Sequence, residues 1–484
     1  MKLLFFSSAK LFRILLGLLI LGFSFGCQKD IIETENANGP VSLSATAVQT
    51  NAKINNFMVI AKSEKLPADI ISQLSQYGEI VKSIPEIGVV VIKPAVSNFE
   101  TKVAELAGVM AVMPDLMARW IEPTEFVPAT NPPSIGSDEP YFPYQWGMDA
   151  IDAPEAWNEG WTGIGARVFI LDTGIDADNP ELAANLNTTL CKSFVPGENY
   201  DIAKYILNEK RKKVYNYFNH GTHVAGIIAA GDNGMGVIGV APETEIVAVK
   251  VLSEYTGSGY FSWIIDGIVY AADNGADVIN MSLGALVSKN GFYIDENGVL
   301  QKEPAVYIQS LIQALQRALN YAFDKGAVVV ASAGNDSFNA DGSSSLISIP
   351  ADLSNVIAVS ATAPVCWILT QNPVFDFPAS YTDFGRSMID LAAPGGDYVC
   401  VEGYPFDMVL STCPGPSYYF AAGTSMASPH VAGVAALIIG KNGGEMNPAD
   451  VAQQLFSTAD NIDGNGASLY YGKGRVNAFR AVTE

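Results

Sequence analysis

Three histidines, His220, His223 and His430, are all that this 484-residue chain offers for imidazole proton transfer near neutral pH. His220 begins HGTHVAGIIAAG, whose Val224, Ile227 and Ile228 fall on one helical face, so its ring would stand at a helix start. Ser425 follows Gly423 and Thr424 and opens SMASPHVAGVAALI, where amides at a helix amino terminus would point at negative charge developing on an attacked carbonyl. Asp172 ends the apolar run VFIL before Thr173 and Gly174, and Asn335 ends AVVVASAGN with a side-chain amide donor. Hydroxyl, imidazole, carboxylate and amide are the parts of nucleophilic acyl transfer: the ring takes the hydroxyl proton, the carboxylate orients the ring, and the amide holds the oxyanion. The aspartate, the serine and the asparagine each have a plainer reading alone, as caps or as a turn residue. Zinc binding by His220 and His223 does not fit, because they stand at i and i+3 with no glutamate beside the first.

Positions as distant as 172 and 425 need a frame that brings them together. After Tyr141, apolar runs such as ARVFILDTG, EIVAVKVL, DVINMSL, AVVVASAGN and NVIAVSAT alternate with helical patterns such as WIIDGIVYAADNG and AVYIQSLIQALQRALNYAFDKG. That alternation predicts a doubly wound α/β domain over 141–484, with a mainly parallel sheet whose reactive groups collect at the carboxyl ends of its strands. Upstream, NFMVIAK, ADIISQLSQYG, EIVKSI, VVVIKP, NFETKVAELAG and VMAVMP give a β, α, β, β, α, β order over 55–121, that of a small ferredoxin-like α+β domain. Residues 122–140, rich in proline and polar side chains, read as an exposed linker.

DTG, HGTHVAG, SAGN and GTSMASPH occur once each and in that order, and on these motifs the chain from about Tyr141 resembles the subtilisin-like serine peptidase family. The resemblance implies a serine endopeptidase acting on polypeptides through an acyl-enzyme, with Ser425 as nucleophile, His220 as base, Asp172 as orienter and Asn335 as oxyanion donor. It also implies that Ser258 and Gly259, with Ser282, Leu283 and Gly284, are backbone edges for an extended peptide, and that Ala331, Ser332, Ala333 and Gly334 wall the main specificity pocket. Such small residues would leave an open, mostly apolar slot for sizeable uncharged side chains. The 55–121 domain resembles the family's propeptide, which assists folding and then inhibits, and self-cleavage is expected between Glu122 and Tyr141. Stretches from Cys191 to Asn219, Leu286 to Pro304 and Pro364 to Pro378 depart from compact members and read as surface insertions.

The first 26 residues place Lys2, Lys10 and Arg13 before an apolar run of about 10 residues, too short for a bilayer-spanning helix at ~20 residues, and read as an export signal. Ser24 to Cys27 resembles a lipoprotein lipobox, with Ser24 where leucine is usual; it implies lipidation at Cys27 and a tether over 27–54, against simple signal cleavage. The expected location is the cell envelope or surface, otherwise the medium. Fifty acidic against 28 basic residues, a net charge of −22, oppose binding to nucleic acid or anionic lipid and favour a soluble monomer. The chemistry calls for no cofactor and no metal; a structural calcium could use Asp201, Asp295 or Glu296. Cys191, Cys366, Cys400 and Cys413 allow three pairings, between which the sequence does not choose. Cys400 and Cys413 flank a short loop that could close locally, and free buried thiols are the alternative. Two other functions compete: a processing peptidase with one partner protein, and a catalytically dead binding module on the same scaffold.

Overall fold

The computed structural model describes residues 56–484 apart from 68, 121–124, 129–138, 208–212, 295–299, 343–344, 371–372, 402 and 465–467. The signal, Cys27, Asp295 and Glu296 therefore lie outside the described residues.

Alternation of apolar residues in the first sheet decides what it touches. Strands β1 (Phe57–Ala61), β2 (Gly78–Ile84), β3 (Val89–Pro94) and β4 (Val109–Pro114) pair antiparallel in the order β2-β3-β1-β4. Val59, Val90 and Ile92 face a core shared with helices α1 (Ile70–Leu74) and α2 (Phe99–Ala104). Met58, Ile60, Val89, Val91 and Met113 face the other way, into a core they share with the helices Phe261–Asp273 and Ala305–Asp324. Period-two patterning thus makes a two-faced sheet, one face for its own helices and one for the larger domain.

The larger domain is built on a sheet of eight strands. Its path runs Phe377–Pro378, Ile357–Ala363, Val328–Ser332, Val278–Met281, Arg167–Asp172, Glu245–Lys250, Lys192–Ser193, with Leu391–Pro394 also on Ile357–Ala363. All these pairings are parallel except that of Phe377–Pro378. Continuous apolar strands such as VVVAS are buried on both faces, which is what a parallel sheet with helices on each side demands. One face carries the helices His220–Ala229 and Thr424–Lys441, the other Phe261–Asp273 and Ala305–Asp324. In Ala305–Asp324 the buried Ile308, Leu311, Leu315, Ala318, Leu319 and Ala322 follow helical spacing.

Polar contacts fix the first domain on this second face. Arg317 Nη1 donates to the carbonyls of Ala61 at 3.1 Å and Ile87 at 3.3 Å, Tyr307 donates its hydroxyl to Glu100 at 2.7 Å, and Lys82 pairs with Asp266 at 2.8 Å. Asp115, 2% exposed, accepts from the backbone N–H and hydroxyl of Ser262 at the start of Phe261–Asp273. Of the three stretches read from the sequence as surface insertions, the first two contain short antiparallel strand pairs, Tyr205–Leu207 with Lys213–Tyr215 and Phe292–Ile294 with Leu300–Lys302. The third is stapled by a disulfide between Cys366 and Cys400, leaving Cys191 half-buried and Cys413 buried as free thiols. The local closure of Cys400 on Cys413 does not form, because Cys413 ends a buried strand paired with Ser417–Ala422.

Closing a loop of 34 residues, the Cys366–Cys400 bond should stabilise the fold by about 3–4 kcal/mol on loop entropy; denaturant unfolding of Cys366→Ser should show a loss of that order, matched by wild type under reductant. Burial pushes the Asp115 carboxyl from 3.8 to about 7. A group whose pKa rises on docking takes up a proton as it docks, so contact between the domains is favoured below about pH 4 and weakens as pH rises toward 7. Thermal melts of the full chain should fall across that window, and Asp115→Asn should flatten the fall; an unchanged slope would assign it to another group.

Candidate active site

Asp172 is the last residue of its strand, and its carboxylate is 1% exposed. It accepts from Thr173 N at 2.6 Å and faces His220 Nδ1 at 2.8 and 2.9 Å from its two oxygens. His220 is the first residue of its helix, capped by Asn219, whose Oδ1 accepts from Thr222 N at 2.8 Å. The strand end and the helix start are stitched together by Thr173 Oγ1, which accepts from Asn219 Nδ2 at 3.0 Å and Gly221 N at 3.1 Å. Gly221 is required by proximity, since a Cβ there would lie 2.2 Å from the Gly174 carbonyl oxygen. With Nδ1 on Asp172, Nε2 is the ring nitrogen able to exchange a proton with a reacting group.

The other two histidines are excluded by their surroundings. His223 Nε2 meets the Tyr419 carbonyl at 2.9 Å and burial drives its pKa down to about 3; His430 Nδ1 meets the Met426 carbonyl at 2.8 Å and is driven to about 4. Both are neutral core residues at physiological pH.

Ser425 lies in the first turn of the buried helix Thr424–Lys441. Pro429, four residues on, has no N–H to give to the Ser425 carbonyl. Ser282 takes that place: its hydroxyl donates to Ser425 O at 2.8 Å, while Ser425 Oγ donates to Ser282 O at 3.3 Å. Asn280 Nδ2 donates to Ser282 Oγ at 3.1 Å and Ser428 Oγ lies 2.9 Å from it. The Asn335 amide is oriented by Thr424, whose N–H and hydroxyl both donate to Oδ1, at 2.9 and 2.8 Å. Nδ2 is therefore the donor end of this amide, at the start of the serine helix.

Ala331, Ser332, Ala333 and Gly334 lie buried at the end of strand Val328–Ser332 and lead into Asn335. Gly334 has a φ of +129°, and a Cβ there would sit 2.1 Å from Asp383 Oδ2. Sequence reading missed Asp383: its N–H donates to Gly334 O at 3.0 Å, and its Oδ1 accepts from Asp336 N and Phe338 N, both at 2.8 Å. It thereby holds the turn carrying Asn335, and burial raises its pKa well above the usual carboxylate range. Lys250 was also missed. Fully buried, it donates to Thr173 O at 2.8 Å and pairs with Glu198 at 3.0 Å and Glu254 at 3.1 Å, tying the Cys191–Asn219 stretch to the turn after Asp172. No motif marks either residue.

Both expected backbone edges meet the chain's own strand β5 (Met117–Trp120). Ser258 opposes Arg119 and Gly259 opposes Ala118, while Leu283 opposes Trp120 and Gly284 opposes Arg119, all antiparallel. Downstream, β6 (Glu125–Pro128) pairs antiparallel with Ser417–Ala422, Glu125 opposite Ala422. Trp120 therefore stands opposite Leu283, the neighbour of Ser282, and Glu125 opposite Ala422, three residues before Ser425.

Of the residues expected to bind calcium, Asp201 already accepts from Ala177 N at 3.0 Å. Among the described residues Cys366, Cys400 and Asp407 lie close enough to share an ion, but both sulfurs are in the disulfide and Asp407 accepts from Cys366 N and Trp367 N. No described helix is long and apolar enough to cross a membrane.

The subtilase family model, Peptidase_S8, matches residues 163–474. Thermitase from Thermoactinomyces vulgaris is 37% identical over 347 residues, covering 71% of this chain and 98% of that protein; subtilisin from Bacillus pumilus is 37% identical over 337 residues, covering 70% and 98%. The fold is that of the epidermin leader peptide processing serine protease of Staphylococcus aureus, at a TM-score of 0.67 and 24% identity over 88% of this chain and 97% of that one. The chain belongs to the subtilase family and is a subtilisin-like serine endopeptidase.

Proposed function

We propose that Ser425 is the nucleophile, His220 the base that takes its proton and later protonates the leaving amine, Asp172 the group that orients and stabilises the imidazolium, and Asn335 Nδ2 a donor to the oxyanion. The observation that supports this reading is the buried pair of Asp172 and His220 Nδ1 at 2.8 Å, with His220 on a helix packed against the one that carries Ser425, a serine whose backbone and hydroxyl are both held by Ser282. A hydroxyl is a poor nucleophile at neutral pH, and an imidazole with one nitrogen fixed on a carboxylate presents the other to accept its proton. Attack forms the C–O bond of a tetrahedral adduct; collapse expels the amine with the proton from His220, and water then cleaves the acyl-enzyme by the same route.

The substrate's main chain would lie where β5 lies, added as a strand between Ser258–Gly259 and Ser282–Gly284. Ala331 to Gly334 would wall the pocket for the residue before the scissile bond, with room for sizeable uncharged side chains. On this reading the chain is a self-processing precursor. The first domain is its inhibitor, β5 occupies the upstream half of the cleft, and the cut falls between Trp120 and Glu125. Export with lipidation at Cys27 stays part of the proposal, and charge and fold give no reason to add nucleic acid or a partner subunit.

The chemistry uses no metal or cofactor. For a structural calcium, the donor set with the right chemistry is Glu139 and Glu181 with Asn233. Glu139 accepts from Asn233 N and Gly234 N, Glu181 accepts from Asn233 Nδ2, and burial, with a smaller contribution from the charge of Glu139, raises the Glu181 pKa to about 7. Such an ion would act on stability.

A serine-directed fluorophosphonate should label the chain, and Ser425→Ala should abolish both labelling and conversion of the precursor; normal processing of that variant would assign the cut to another protease. Asn335→Ala should lower kcat by ~10² to 10³, the magnitude established for this family's oxyanion amide, with KM nearly unchanged. Steady-state kinetics on a peptide anilide would check this, a matching rise in KM being the contrary result.

A further inference from the structure

Inhibition from the upstream side does not need β6. Yet Glu125, Phe126, Val127 and Pro128 oppose Ala422, Ala421, Phe420 and Tyr419, making a third strand on the hairpin Val409–Cys413 with Ser417–Ala422. Ala422 is three residues before Ser425, so this edge adjoins Ser425 along the chain, whereas the edge that holds β5 adjoins it through the hydrogen bonds of Ser282. A peptide cut at Ser425 would lay its leaving half along Ser417–Ala422 by the same main-chain pairing.

The chain then returns to the same strand. Tyr141 packs edge-on against Tyr418 at 5.0 Å between ring centroids, and its N–H donates to Gly236 O at 2.7 Å. Glu139, 2% exposed, accepts from Asn233 N at 2.6 Å and Gly234 N at 2.7 Å. The segment from Glu125 to Tyr141 is thus held at both ends beside Ser417–Ala422, with no help from the first domain. A cut before Glu125 removes none of these contacts.

We propose, resting on the self-processing reading above, that residues 125–128 stay paired with Ser417–Ala422 after the cut and act as a second lock. The lock covers the leaving-group side, separately from β5 and the first domain, and it excludes peptides that extend about four residues past the scissile bond. Ten residues, 129–138, join β6 to Glu139. A tether of that length sets an effective concentration on the order of 1 mM, so a segment with an affinity of only ~100 µM would raise the KM of a competing peptide about tenfold. Main-chain pairing makes this competition blind to the peptide's sequence. A substrate with a single small leaving group does not reach the strand and escapes it.

The test uses the processed full chain and two fluorogenic peptides with identical upstream residues, one ending in an aminocoumarin and one continuing for five residues to a quencher. Phe126→Pro with Val127→Pro removes two consecutive backbone donors, one of which faces the partner strand in an antiparallel pair. The double variant should lower the KM of the long peptide about tenfold and leave aminocoumarin release unchanged. In wild type, hydrogen exchange at the amides of Ser417–Ala422 should be as slow after processing as before, a measurement that needs no variant. Equal KM in the two proteins, or loss of that protection at the cut, would overturn the proposal. Mass spectrometry of the products separates the two readings: a cut that persists in Ser425→Ala defeats self-processing and with it the lock, whereas a Ser425-dependent cut downstream of Glu125, or a cut before Glu125 with equal KM, defeats the lock alone.

Discussion

A carboxylate that is 1% exposed is tolerable only where hydrogen bonds replace the water it has lost, and Asp172 sets that condition for everything around it. It is met by Thr173 N and His220 Nδ1, which fix the strand end and the helix start at hydrogen-bonding distance. The turn after Asp172 can approach the helix because Gly221 has no side chain, because Thr173 Oγ1 bonds to the helix amino terminus, and because the buried Lys250 holds the Thr173 carbonyl. Lys250 in turn needs Glu198 and Glu254, since a buried ammonium without carboxylates would be as costly as the carboxylate itself. One buried charge thus recruits a chain of partners reaching into the Cys191–Asn219 stretch, which in sequence looks dispensable.

The serine side obeys a different constraint. The helix from Thr424 is buried through Ile439 and runs among small residues, so it can pass close to its neighbours; Gly433 leaves 2.6 Å between a would-be Cβ and Val240. Pro429 breaks its internal ladder at one carbonyl, that of Ser425, and the broken bond is replaced by one to Ser282. The backbone of Ser425 is thereby fixed beside the strand edge that pairs with β5. Asp383 does the equivalent for Asn335, gathering two N–H groups of the following turn onto one oxygen. Positions of the reacting groups are set by backbone hydrogen bonds at strand ends and helix starts, the places where such groups lack regular partners.

On the self-processing reading, the precursor uses the physics of its own substrates. Strand addition satisfies exposed N–H and C=O groups on an edge whatever the side chains, so a chain that hydrolyses extended peptides can occupy its own cleft with an extended piece of itself. β5 pairs with the edge that begins beside Ser282 and β6 with the strand that ends three residues before Ser425, while Ala118 of β5 packs into the core that the first sheet shares with the larger domain.

Periodicity made the first domain's strand and helix order and the larger domain's α/β class legible, because period two and period 3.6 are written locally in the chain. The positions of Asp172, His220 and Ser425 at a strand end and two helix starts were legible for the same reason, through short motifs of glycine and capping residues. The edges at Ser258 and Ser282 were expected only from the family resemblance, and nothing local in the chain showed that β5 would lie between them. What the sequence left open depended on contacts distant along the chain. Cys366 bonds Cys400, not the nearby Cys413, because the strand carrying Cys413 is committed to Ser417–Ala422. His223 and His430 are neutral because burial is a property of the assembled core. Asp383 and Lys250 match no motif, since their partners lie at Gly334 and Thr173, and only the tertiary structure brings a lone buried charge to the backbone that needs it.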